Sequence, residues 1–190
     1  GGGSADAAAV LRAANALAGA PLDGDALRRL GARLGSDVPS QIEPRHALVS
    51  GTGERVEPVE LPPVTLVLVP AEPGLPTGEV YAEADRIGAT RGALDRDRVR
   101  AVAGLPPDRL AGAIENDLEA AAVSLRPELE STRAALLARG ALAARVSGSG
   151  PTVFGVFGDE RGAAAAAAEV PGAVVARLRN NGDRWTGSST

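Results

Sequence analysis

The chain opens GGGSADAAAV, and these are the first residues whose types and spacing suit chemistry. Consecutive glycines let the backbone approach a ligand closely, and the amides at the start of a following helix face the same space. Gly1, Gly2, Gly3 and Ser4 would together suit an anion, phosphate above all. The competing readings are a plain turn with Ser4 as helix cap, or linker residues. A second candidate is GSDVP at 35–39. Pro39 is expected to hold Val38 extended and to end a helix before it, leaving Asp37 at a fixed corner. A carboxylate presented in this way can accept a hydroxyl proton; alternatively Asp37 closes an Asx-turn on its own backbone. The third is SGSGPT at 147–152, which spends more residues than a hairpin turn needs and exposes amides and two hydroxyls around Gly148, Ser149 and Gly150. Two glycine-rich anion loops and one fixed carboxylate form a coherent set for phosphoryl transfer. Loops cradle phosphates, Mg²⁺ neutralises them, and the carboxylate positions the accepting hydroxyl.

Three further features carry less. Thr77 heads TGEVY and reads as a capped helix start, with Tyr81 either in a core or stacked on a base. Asn116 or Asp117 reads as the cap of another helix. His46, the single histidine, reads as a strand residue rather than a catalyst.

The elements that must position these residues follow from periodicity and punctuation. A helix is expected over 4–18, capped by Ser4, with Asp6 in its first turn, an apolar stripe of Leu11, Ala14, Leu17 and Ala18, and Gly19 as its stop. Asp23 should cap a second helix through Leu34, with Leu27, Leu30 and Leu34 inward. Residues 46–50 read as a short strand followed by a polar turn, GTGERVEP. VTLVLVP at 64–70 is the strongest strand, and its unbroken apolar run implies an interior position. Helices are expected after Thr77 and near 97–103, 116–124 and 128–139. Then come a strand at 142–147, the SGSGP turn, a strand at 152–157, a helix at 160–169 and a strand at 173–178. Two strands joined by a turn and followed by a crossover helix suggest an α/β plait built on the 64–69 strand. The composition break at Leu61-Pro62-Pro63 places a boundary near residue 60, giving domains 1–60 and 61–190, and the tail NNGDRWTGSST reads as mobile.

Composition bounds the answer. In 190 residues, 44% are hydrophobic but only Tyr81, Phe154, Phe157 and Trp185 are aromatic, so Ala, Leu and Val must do the packing. Cysteine is absent, which removes disulfides, thiolate nucleophiles and cysteine metal sites. The formal charge is −4 with scattered basic residues, so nucleic acid is not an expected partner. No apolar run nears the roughly 18 residues of a membrane span and no signal peptide is recognised, so a cytoplasmic protein is expected.

GGGSADAAA at 1–9, GSDVP at 35–39, LPTGEVY at 75–81, NDLE at 116–119 and SGSGPTVFG at 147–155 occur in an order that resembles the small-molecule kinases named for galactokinase, homoserine kinase, mevalonate kinase and phosphomevalonate kinase, the GHMP superfamily. Within it the chain looks most like the branch acting on 4-diphosphocytidyl-2-C-methyl-D-erythritol in non-mevalonate isoprenoid synthesis. The resemblance implies an α+β two-domain fold, with a remnant of a ribosomal-protein-S5-domain-2-like first domain, a ferredoxin-like α/β plait as the second, and the active site between them. It implies ATP and Mg²⁺ as cofactors and phosphorylation of the 2-hydroxyl of a cytidine diphosphate substrate. Gly1, Gly2, Gly3 and Ser4 would hold the ATP phosphates, and Asp37 would be the catalytic carboxylate. Tyr81 would stack near the cytosine and Thr77 would bind substrate beside it, while Gly148, Ser149 and Gly150 would border substrate and phosphates. The assembly would be a monomer or homodimer.

Departures from that pattern are specific. The family carries about 90 residues before this point, including a strand whose lysine works beside the aspartate; that N-terminal third is missing here and would be the chain's first partner. Ala5 stands where the family has a second serine. SQIEPRHAL, with Ser40, Gln41, Glu43, Arg45 and His46, replaces an apolar turn. If the 190 residues act alone, little turnover is expected, because half a phosphate loop without the lysine cannot preorganise transfer. The alternatives are an inactive nucleotide-binding fragment or scaffold, and a sibling kinase for homoserine or mevalonate-type substrates.

Overall fold

The computed structural model describes residues 2–93 and 95–178. Gly1, Trp185 and the tail NNGDRWTGSST lie outside the described residues. Between Leu61 and Pro62 the chain divides into two units.

The first unit holds α1 (Gly2–Leu17), α2 (Gly24–Ala32), the short α3 (Val38–Ile42), and an antiparallel hairpin of β1 (Ala47–Ser50) and β2 (Arg55–Pro58). Its core is small: Ala8, Leu27, Val38 and Ile42, with Ala7 and Leu11 against them. Asp23 caps α2 as its position predicts, its carboxylate accepting from Ala26 N at 2.7 Å. Four expectations fail here. α1 already includes Gly2, so Ser4 lies within the helix and is not its cap, and Asp6 falls beyond the first turn. Of the expected stripe only Leu11 packs inward, half-buried beside Ala7 and the buried Ala8, whereas Leu17 is 90% exposed. α2 ends at Ala32 and leaves Leu34 exposed. Val38 is the first residue of α3 rather than extended. Proline fits a helix's first turn because the amide it lacks has no intrahelical acceptor there. The second hairpin strand, β2, is not anticipated, since RVEP has too little apolar character to announce itself.

The second unit holds β3 (Val64–Val69), α4 (Thr77–Ile87), α5 (Arg96–Ala103), α6 (Pro107–Ala113), α7 (Glu119–Leu125), α8 (Glu128–Ala138), β4 (Ala143–Val146), β5 (Val153–Phe157), α9 (Glu160–Glu169) and β6 (Val174–Leu178). The sheet runs β4-β5-β3-β6, antiparallel throughout. This is the ferredoxin-like plait: β3 and β4 are linked by the helices α4–α8, β5 and β6 by α9, and each crossover leaps one strand. β3 is flanked on both sides, and its alternate residues feed two cores. Val67 and Val69 join Leu129, Leu136, Val146, Val153 and Phe157 on the larger side. Val64 and Leu66 meet Leu110 and Ala111 of α6 on the other. α6 has no counterpart in the expected helices. α7 starts at Glu119, which puts Asn116 and Asp117 outside it.

Candidate active site

α1 starts on two exposed glycines, and at each the space a Cβ would take is open. The first amides of any helix lack intrahelical acceptors and carry the positive end of its dipole. The amides of Gly2, Gly3 and the half-buried Ser4 are of this kind. Gly1 lies outside the described residues.

Asp37 is exposed at the head of α3, with helical backbone (φ −89°, ψ −14°) and no bond from its carboxylate to a backbone amide. The Asx-turn reading thus does not hold. Ser36 Oγ faces Asp37 Oδ1 at 3.5 Å, and Ser40 Oγ donates to the Asp37 carbonyl at 2.8 Å. Arg12 of α1 donates to the carbonyls of Gln41 (2.8 Å) and Ile42 (3.2 Å), fastening α3 at its other end. His46 precedes β1, and its carbonyl accepts from Val59 N at 2.9 Å, which extends the hairpin ladder.

In the second unit two of the expected residues come together. Thr77 Oγ1 and Ser149 Oγ are 3.2 Å apart, joining the first turn of α4 to the glycine loop. Tyr81 stands one turn further along the same face of α4 and is 53% exposed, so it is not a core residue. The loop closes on itself through Ser147 N to Thr152 O (2.8 Å) and Gly150 N to Ser147 O (2.9 Å). Gly150 has φ +80°, and a Cβ there would sit 3.1 Å from Val146 and 3.5 Å from Leu75, so glycine is required.

Asn116 does more in the fold than sequence reasoning gave it. Its Nδ2 donates to both Val146 O (2.8 Å) and Gly148 O (2.9 Å), while Oδ1 accepts from Leu118 N (3.0 Å). Glu119 accepts from Val146 N at 2.8 Å and pairs with Arg133 at 3.2 Å. NDLE is thus the clamp at the base of the glycine loop. Its only advance signal is an amide and an acid three apart, which reads locally as a cap; the carbonyls it serves lie 30 residues away. Arg91 bridges Asp117 (2.5 Å) and Glu115 and holds both carboxyls below their ordinary range by hydrogen bonding. An open recess of about 320 Å³ behind Asn116 is lined by these groups with Arg133 and Arg145.

Family profiles describe the same two parts. That of the GHMP kinases N terminal domain matches residues 1–43, and that of the GHMP kinases C terminal matches 104–176. The chain belongs to the GHMP kinases. Among relatives of this GHMP chain, a 4-diphosphocytidyl-2-C-methyl-D-erythritol kinase of Nocardia farcinica is 46% identical over 182 residues, 93% of this chain and 59% of that protein. A crystal structure of 4-(cytidine 5'-diphospho)-2C-methyl-D-erythritol kinase matches with a TM-score of 0.75 at 34% identity, covering 93% of this chain and 65% of that one. A homoserine kinase from Cytophaga hutchinsonii shares the fold at 19% identity and a TM-score of 0.62, covering 88% of this chain and 62% of that one. The GHMP chain therefore spans about 59% of the length of the Nocardia relative. Among the described residues no helix is long and apolar enough to cross a membrane, and no cluster of three His or acidic side chains could hold a metal.

Proposed function

We propose that this chain is part of an ATP-dependent kinase that phosphorylates the 2-hydroxyl of 4-diphosphocytidyl-2-C-methyl-D-erythritol, in the cytoplasm. The observation that carries the reading is the meeting of Thr77 and Ser149, with the exposed Tyr81 one turn further along α4, in a chain 46% identical to the Nocardia kinase of that name. Residues 1–60 belong to the nucleotide-binding domain of that enzyme and 61–190 to its C-terminal domain.

Each residue has a part in this reading. The amides of Gly2 and Gly3, with the Ser4 hydroxyl and with Gly1 before them, hold ATP phosphates; exposed glycine backbone at the start of a helix fits a polyphosphate. Mg²⁺, when bound with ATP, neutralises the phosphates and asks for only one or two protein carboxylates, so no caged metal site is needed. Asp37, whose carboxylate no backbone amide engages, accepts the proton of the 2-hydroxyl. The Tyr81 ring stacks on cytosine, and Thr77 with Gly148, Ser149 and Gly150 bounds the substrate.

The test is an ATP- and Mg²⁺-dependent assay of the purified native protein, with the product's phosphate located by phosphorus NMR. Phosphate on the 2-hydroxyl is the expected result. Nucleotide binding without turnover would leave a binding protein or scaffold instead, and preference for homoserine or mevalonate would make it a sibling kinase. The 19% identity to homoserine kinase against 46% to the Nocardia protein favours the first outcome.

A further inference from the structure

The turn joining β1 and β2, GTGE at 51–54, has no part in the site described so far, yet it lies directly behind Asp37. Gly53 is buried, with φ +104°. A Cβ built on it would sit 1.8 Å from the carbonyl oxygen of Ser36, 2.6 Å from its carbonyl carbon and 3.0 Å from its Cα. Those atoms belong to the Ser36–Asp37 peptide. The other glycines with positive φ meet a side chain or open space; at Gly53 the obstacle is backbone, which has no rotamer by which to yield.

The rest of the turn is built to present that glycine. Thr52 donates to Glu54 Oε2 from its amide (2.7 Å) and its hydroxyl (3.0 Å), and Gly53 N donates to Ser50 O at 3.4 Å. On the other side, Asp37 has little to fix its carboxylate except its backbone. No amide caps onto it, and its one hydroxyl neighbour stands at 3.5 Å. Where the carboxylate points is therefore set by where the Ser36–Asp37 peptide rests.

We propose that Gly53 is a positioning residue for Asp37: the missing side chain is a seat for the Ser36–Asp37 peptide, and the GTGE turn holds that seat in place. The assignment rests on the kinase reading above only for its consequence in catalysis; the seat itself is a matter of backbone geometry. Any side chain at position 53 must push the peptide away by more than an ångström to reach an ordinary van der Waals separation. A misplacement of about 1 Å at a reacting group costs on the order of 10²-fold in rate.

Gly53→Ala in the native protein tests this, with kcat, the KM of each substrate, and backbone amide shifts read together. The expected result is a kcat lowered by about 10²-fold with both KM values within about threefold, and shifts concentrated on Ser36, Asp37 and Val38. Gly19→Ala is the strain control, because φ there is +84° with nothing within 4 Å; its kcat should stay at the parent value. If Gly53→Ala does not fold, Glu54→Ala replaces it, removing the acceptor that closes the turn, and kcat should still fall by about tenfold with KM unmoved. Unchanged kcat in a folded variant, or equal losses in the Gly19 control, overturns the proposal. If the parent protein transfers no phosphate, the kinase reading fails. The seat is then judged by the amide shifts alone, and their absence at Ser36–Val38 overturns it.

Discussion

Asp37 stands exposed at the head of a five-residue helix, held by backbone packing, whereas Gly148 is tied by a side chain reaching across 32 residues. The first unit rests on a core of Ala8, Leu27, Val38 and Ile42; the second buries fifteen residues in its larger core alone. The difference separates two ways of fixing a segment of backbone. At Asp37 no backbone amide engages the carboxylate, which is left open to solvent. The glycines of the loop have no side chains to anchor, so Asn116 from a neighbouring segment supplies the hydrogen bond at Gly148.

The largest expected effect breaks the comparison at its chemical end. Asp37→Asn should lower kcat by about 10²–10⁴-fold with little change in nucleotide affinity or melting temperature, because the side chain supports no fold contact that the amide lacks. Turnover kinetics and a thermal melt on one preparation check this; a large fall in melting temperature would show that Asp37 is structural. Next comes Asn116→Ala. It strips two donors from the carbonyls of Val146 and Gly148, and should cost about 1–3 kcal/mol in denaturant unfolding. Hydrogen exchange at the Gly148–Gly150 amides should quicken, and the substrate KM should rise more than kcat falls. The smallest effect concerns Glu83, whose carboxylate accepts from Arg86 (2.6 Å) and from Ser124 of α7 (2.5 Å) and so steadies α4 beneath Thr77 and Tyr81. These hydrogen bonds, Arg86 first, pull its pKa from 4.5 down to about 2. The folded value lies below the unfolded one, so the stabilisation is complete above pH 4.5 and is lost as pH falls through about 2. Glu83→Gln should flatten the acid limb of stability in that window, measured as melting temperature against pH for both proteins.

Much of the plait was legible from residue pattern. VTLVLVP was expected as an interior strand and is one, because an apolar run without alternation needs cover on both faces. Helix 160–169 and its flanking strands agree with α9, β5 and β6 to within a residue or so, since Asp159 and the alanine run mark start and body in local sequence. The first unit was harder. Pro39 was expected to follow the end of a helix and to hold Val38 extended. α2 does end before it, at Ala32, but Val38 opens α3, because a proline's effect depends on whether its absent amide would have had an acceptor. Leu17 and Leu34 were expected to be buried and are exposed, since periodicity marks an apolar face without saying what covers it.

By itself the sequence determined the residue types available for chemistry, the plait that carries the second set of them and, through its motif order, the GHMP family. Tertiary structure alone decided that Asn116 serves Val146 and Gly148 as well as the start of α7, that Thr77 meets Ser149, and that Gly53 lies against the Ser36 carbonyl. The physical reason is common to all three. Hydrogen bonds and steric contacts act over a few ångströms of space, and the chain brings together residues 17 to 72 positions apart. A motif records what a segment can offer; only the packed chain fixes what it is offered to.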